Sequence, residues 1–291
     1  MRYQVCEGNY ARMGVTKDKD SVIFTFEGEK EDRCEIVLVD RTTMRETKVL
    51  ADREFCMGSL RSVSIKHIDT ENTLYYYAIN GVPVLDPYAP GIAGREQWND
   101  RNRSKQQYKV LGRMNFDEYS WHGDRNPEVA RKDMVMYKLH VRGFTMENAP
   151  KEQAAGTFLG LSQKLSYLKK LGITTVELMP VYEFEEMDIP VKQEMPEYLK
   201  GKMRPEDLLH INKEMECGRK VNFWGYCAGN YFAVKAGYAF DQKNPEKELK
   251  DLVCKMHRMG MECVMEMYFP EHSNHNLVLE ALHYWIREFH V

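Results

Sequence analysis

Between Asp133 and Pro180 the sequence alternates strand, helix and strand, and no other stretch narrows the fold as far. Met134 to Val141 (Met-Val-Met-Tyr-Lys-Leu-His-Val) has the composition of a buried strand, and Ile173 to Met179 (Ile-Thr-Thr-Val-Glu-Leu-Met) is β-branched and largely apolar. Between them, Gly156 to Leu171 sets Phe158, Leu161, Leu165 and Leu168 at spacings of three and four, the stripe of an amphipathic helix. Gly172 follows where a helix ends on a left-handed residue. Two strands joined by a helical crossover lie parallel in one sheet.

The alternation resumes near the end of the chain. Asn244-Pro245-Glu246 supplies an N-cap, a proline at the first helical position and a first-turn acid. Leu249, Leu252, Val253 and Met256 make that helix's apolar face, and Gly260 ends it. Glu262 to Phe269 reads as a third parallel strand, and Asn276 to Phe289 as a helix with Leu279, Leu282 and Ile286 turned inward. Between the two parts, Val181 to Asp241 is long, irregular and charged, with Pro190, Pro196 and Pro205. Connections of that size are either functional or without structure of their own.

Three strands with their crossovers are fewer than half of a (β/α)8 TIM barrel. A doubly wound nucleotide-binding sheet would need a glycine-rich loop after its first strand. Here His140-Val141-Arg142-Gly143-Phe144-Thr145 has one glycine, which disfavours that reading.

Upstream the period shortens. Val22 to Phe26, Glu35 to Val39, Val63 to Ile68 and Leu74 to Ile79 are strand-like, and Asn80-Gly81 is a hairpin signal leading into Val82-Pro83-Val84-Leu85. Short strands at this spacing predict an all-β sandwich of immunoglobulin-like type. Asp86-Pro87-Tyr88-Ala89-Pro90-Gly91 closes it, and Gly91 to Lys132 is expected to wrap as loop, pinned through burial of Phe116, Tyr119 and Trp121. A chain of 291 residues exceeds the usual size of one domain. The expected division is residues 1–125, sandwich with joining segment, and residues 126–291, the parallel α/β part.

Charge and cysteine usage exclude several classes of function. A net charge of −3 gives no electrostatic case for nucleic acid or an anionic membrane, and Arg101, Arg103 and Lys105 read as a solvated loop. Seven scattered cysteines without a Cys-x-x-Cys pair read as free thiols in a reducing, cytoplasmic compartment rather than a disulfide framework or zinc site. Met1 to Tyr10 has no apolar run of signal-peptide length, and no stretch is long and apolar enough to span a bilayer. No cofactor and no metal is expected, since His272 and His275 lack a third ligand at an evident spacing. Ser273 beside those histidines is a chance neighbour rather than a nucleophile pair, and Glu177 and Glu183 read as structural carboxylates.

Five ordered motifs resemble the α-amylase superfamily, in its isoamylase, pullulanase and glycogen-debranching branch. Tyr137-Lys138-Leu139-His140-Val141-Arg142-Gly143-Phe144-Thr145 resembles the first barrel strand, and Leu171 to Val181 (Leu-Gly-Ile-Thr-Thr-Val-Glu-Leu-Met-Pro-Val) the second. Asn222-Phe223-Trp224-Gly225-Tyr226 followed by Tyr231-Phe232-Ala233 resembles the aromatic loop before the third. Asp86-Pro87-Tyr88-Ala89, and Phe116-Asp117 through Gly123-Asp124, resemble the end of an N-terminal sandwich, like a glycan-binding module, and its link to the barrel. His283 to Val291 resembles the helix leading into the fourth strand.

The resemblance implies retaining cleavage of α-1,6-glucosidic bonds in glycogen, starch or pullulan, which needs two closely spaced carboxyl groups. In the family these come from the fourth and fifth strands, so this chain is expected to lack nucleophile and general acid and to be inactive alone. The alternative is a non-catalytic glycan-binding or scaffolding relative.

Tyr226 matches the aromatic that stacks on the sugar ring, and Trp224 beside it is counted with the substrate-contacting residues although packing is its stronger reading. Glu266 and His272 match the acid and histidine after the third strand, with Glu in place of Asp and six positions between them instead of five. A one-residue slip reverses strand faces, so both cannot be carried over without a bulge, and Pro270 with the absence of the usual Asn puts a calcium ligand in doubt. An unfinished barrel edge also predicts self-association.

Overall fold

The structure is a computed structural model, described for residues 3–100, 109–147, 149, 154–187, 189–190 and 219–291. Arg101, Arg103, Lys105, Pro196, Pro205 and Cys217 lie outside the described residues.

The N-terminal region is two antiparallel sheets facing each other over one core. The first pairs Val5–Glu7, Leu60–Lys66, Ser21–Glu27 and Gly14–Asp18 in that order, with Cys56–Met57 added to Leu60–Lys66. The second runs Gly91–Ala93, Leu111–Arg113, Thr73–Ile79, Cys34–Asp40 and Glu46–Ala51, with Val82–Val84 on Thr73–Ile79. Alternation along the strands sends Val22, Phe24 and Phe26 against Ile36, Leu38, Tyr75 and Tyr77, and the Phe26 and Tyr77 rings stack at 4.1 Å. The Asn80-Gly81 hairpin is present, with φ of 51° and 81°, the pair of left-handed residues that a two-residue turn requires.

One expectation for this region is corrected. Gly91–Ala93 and Leu111–Arg113 are strands of the second sheet rather than loop. Each is three residues long, too short to show alternation, and Gly112 fits only because a Cβ there would lie 2.7 Å from the Tyr75 ring. Phe116, Tyr119 and Trp121 are half-buried, and the last two anchor by specific contact: Tyr119 donates to Asp251 at 2.8 Å and Trp121 stacks on His290 at 3.8 Å.

In the second half, Met136–Leu139, Thr175–Leu178 and Glu262–Met265 form a parallel sheet in that order. The crossover helix Phe158–Lys170 is capped by Thr157, whose hydroxyl accepts from the Gly160 N–H, and Gly172 takes φ 84°. Phe158, Leu161, Leu165 and Leu168 are fully buried. They share a core with Leu139, Val176, Leu178 and Cys263 from one face of the sheet, and with Leu249, Leu252 and Met256 of the helix Pro245–Arg258.

The opposite face is open, so the expectation of a buried first strand fails: Met134 to Lys138 are all exposed. This strand is an edge, and from Met134 to Lys138 side chains on both of its faces are exposed, a setting composition alone cannot reveal. It is also shorter than expected, because His140 accepts from the Gly143 N–H through Nδ1 and caps a short helix, Val141–Thr145.

The last helix, His275–Phe289, is in place but rotated. Ala281, Trp285 and Phe289 face inward, while Leu279, Leu282 and Ile286 are 54%, 41% and 57% exposed. Both sets recur at helical spacing; the indole N–H of Trp285, donating to the Tyr231 carbonyl at 2.6 Å, fixes which one is buried.

Within the long connection, Tyr182–Phe184 pairs antiparallel with Gly229–Val234, and Ile189–Pro190 with Arg219–Lys220. Glu183 and Glu186 flank the fully buried Lys235 ammonium at 2.7 and 2.6 Å. Among the described residues no helix is long and apolar enough to cross a membrane, and the six described cysteines are free thiols.

Candidate functional site

The three parallel strands end on the same side, where active sites of parallel α/β folds are built. Their register puts Lys138 beside Glu177 and Glu177 beside Val264, on the open face. Two residues past Val264 the same face presents Glu266. Lys138 Nζ lies 2.5 Å from Glu266 Oε1, and the Tyr226 hydroxyl donates to Glu266 Oε2 at 2.5 Å. The Lys138 ammonium also sits over the Tyr226 ring, 5.7 Å from its centroid.

Glu177 and Glu266 face one another across the strand ends and influence each other's titration. Burial first, then the hydrogen bond and charge of Glu266, pushes the Glu177 carboxyl up. Burial also pulls Glu266 upward, but hydrogen bonds from Lys138 and Tyr226 outweigh it and hold that carboxyl below its usual range.

The loop that carries Tyr226 is held from beneath. Gly225 takes φ 78° with its Cα against the Phe184 ring, where a Cβ would approach to 2.6 Å, and the Asn222 side-chain oxygen accepts from the Gly225 N–H. The Tyr182 hydroxyl meets the carbonyls of Gly225 (3.1 Å), Cys227 (2.8 Å) and Tyr268 (3.4 Å), tying this loop to the end of the third strand. Phe223 stacks on His140 at 4.1 Å, and His140 Nε2 reaches the Phe223 carbonyl at 2.7 Å. Because Nδ1 accepts from Gly143, the proton of His140 belongs on Nε2. Burial pushes this histidine down and keeps it neutral.

Of the residues singled out from sequence, Tyr226 and Glu266 are in direct contact. Trp224 is 56% exposed and packs edge-on against His140 and Phe223. His272 is exposed in the turn closed by Ser273 N–H to Pro270, and hydrogen-bonds to neither Tyr226 nor Glu266. The conflict of strand faces between Glu266 and His272 does not arise, because the strand ends at Met265. Glu183 has the structural role expected of it, whereas Glu177 belongs to the cluster around Glu266. Lys138 and His140 lie in the first-strand motif and Tyr182 just past the second, but none is singled out as a site residue; the parallel register and the fold of the connection bring them here. No group of three or more His, Cys, Asp or Glu suited to a metal occurs among the described residues.

A parallel sheet with helices on one face and a polar, aromatic cluster at its strand ends is an α/β scaffold with its candidate site at the strand ends. The family model for the α-amylase catalytic domain matches residues 101–284, and the chain belongs to that family. Its relatives lie in the debranching branch. It is 28% identical to isoamylase 1, chloroplastic, of Arabidopsis thaliana over 91% of this chain and 35% of that protein. It is 31% identical to pullulanase A of Streptococcus pneumoniae over 69% of this chain and 16% of that one. The structure of Paenibacillus barengoltzii pullulanase with maltohexaose and α-cyclodextrin superposes with a TM-score of 0.70 at 18% identity, covering 97% of this chain and 48% of the other. The chain thus spans about a third or less of the length of the relatives it matches by sequence.

Proposed function

We propose that this chain supplies the glucan-holding part of a debranching-type α-glucan hydrolase acting on α-1,6 branch points. Its organisation would be an immunoglobulin-like sandwich with joining segment over residues 1–125, followed over residues 126–291 by the first three βα units of a (β/α)8 barrel. The open sheet face, with Lys138, Glu177 and Glu266 on what would be the barrel interior, supports this division.

The observation that carries the functional reading is the Tyr226–Glu266 contact at the strand ends, at 2.5 Å. The apolar face of a glucose ring suits the flat face of Tyr226, and Glu266 offers a charged acceptor to a sugar hydroxyl. Trp224, half out in solvent beside them, would extend the platform, and His272 would approach the sugar from the following turn.

Retaining hydrolysis needs two carboxyl groups about 5–5.5 Å apart across the glycosidic bond, one free to attack and one free to protonate. Glu266 is instead engaged on both oxygens, by Lys138 and by Tyr226. Binding without turnover is therefore the role of these 291 residues, which also suits a non-catalytic glycan-binding relative. Isothermal titration with maltohexaose and a reducing-sugar assay on pullulan test both halves: heat of binding with no reducing ends supports the reading, whereas absence of binding, or turnover, contradicts it.

Self-association through the uncovered edge and the exposed Leu279, Leu282 and Ile286 accompanies this reading.

A further inference from the structure

We propose that Lys138 is a specificity-determining residue of this site, its ammonium acting with the Glu266 carboxylate to seat a vicinal diol of the glucose unit that rests on Tyr226. The proposal deepens, and rests on, the reading of the Tyr226 face as the glucan site.

Lys138 is on the edge strand of the parallel sheet, register-paired with Glu177, and its side chain is 48% exposed where that of Glu266 is 18% exposed. The carboxylate is thus the seated partner and the ammonium the reachable one. Neighbouring hydroxyls of a sugar each donate and accept one hydrogen bond, and a cation beside an anion offers a donor to one oxygen and an acceptor to the next hydrogen. Such charge-assisted bonds are shorter and stronger than neutral ones.

The geometry here is already set. The Lys138–Glu266 pair is closed at 2.5 Å, Tyr226 holds the other carboxylate oxygen, and the ammonium lies over one face of the Tyr226 ring, so the sugar would rest on the other face with the ammonium at its edge. An ammonium carries three N–H donors, so Lys138 has capacity beyond Glu266 and Tyr226. The ligand class is a neutral hexose unit with free adjacent hydroxyls. A lysine placed only to neutralise a barrel-interior acid would share these contacts, but it would be indifferent to which hydroxyls the ligand carries.

The test uses the 291-residue chain, with maltotriose and its 2-deoxy and 3-deoxy analogues as probes in titration calorimetry. Lys138→Met should weaken maltotriose roughly tenfold. It should leave unchanged the affinity for whichever deoxy analogue already binds weakly to the parent chain, because the grip is lost once in either case. Lys138→Gln keeps a donor and the length of the stem, and serves if the Met variant does not fold. If the parent chain binds, Tyr226→Ala abolishes binding and Lys138→Met changes nothing, the role of Lys138 is overturned and the site stands. An equal loss for all three ligands overturns it as well. If the parent chain binds none of them, the site itself is wrong and this inference falls with it.

Discussion

The Tyr182 hydroxyl lies 2.8 Å from the Cys227 carbonyl and 3.1 Å from that of Gly225, so one buried side chain sets the position of the loop bearing Tyr226. It sits just after the second parallel strand and also reaches the Tyr268 carbonyl, two residues past Glu266. Tyr182→Phe keeps the ring and leaves buried carbonyls without their donor, which costs about 1–3 kcal/mol of stability. The expected outcome is a lowered melting temperature together with weaker maltohexaose binding. A variant as stable as its parent would remove Tyr182 from this account.

Asp86 gives the sandwich its own pH dependence. Its carboxyl accepts from Tyr75, Tyr77 and the Tyr88 N–H, yet burial pushes it from an ordinary 3.8 up to about 6. The folded state therefore holds this proton more tightly than the unfolded one, and stability from that source is complete below about pH 4 and lost as pH rises through 6. The difference is on the order of 3 kcal/mol. Asp86→Asn should flatten this segment of the stability profile between pH 4 and 6.5, measured by denaturant unfolding, and should be no less stable than its parent at pH 7.5. A profile unchanged in slope would contradict the assignment.

Lys235 has no exposed surface, and its ammonium meets Glu183, Glu186 and the Phe184 carbonyl. Removing one member of a buried ionic group strands the others, at a cost of about 3–5 kcal/mol. Lys235→Met should lose that much in urea unfolding at pH 7 and recover part of it at pH 5. Burial already pushes the Glu183 carboxyl up, so a modest fall in pH neutralises it. A loss below 1 kcal/mol would mean the three groups are not desolvated as described.

What was legible in the sequence follows from what each signal reports. Phe158, Leu161, Leu165, Leu168 and Gly172 announce their helix because periodicity and a left-handed terminator are local properties. The strands Ser21–Glu27 and Cys34–Asp40 show through because both are rich in buried β-branched residues. Glu46–Ala51 does not, since an edge strand with four of six residues exposed has no apolar alternation to read. The final helix has apolar residues on two stripes, and the choice between Leu282 and Trp285 depends on Tyr231, 54 residues before Trp285. The site divides in the same way. Tyr226, Glu266, Lys138 and Glu177 all lie in recognisable motifs, but that Lys138 and Glu177 meet the other two follows from parallel register, a relation between strands that no single segment encodes.

The central claim is that the Tyr226–Glu266 face at the ends of the parallel strands is where an α-glucan rests. Titration of maltohexaose into the chain and into Tyr226→Ala, with far-ultraviolet circular dichroism to establish equal folding, tests it most directly. Saturable binding that disappears in Tyr226→Ala is the predicted result; equal affinity in the two proteins would contradict the claim.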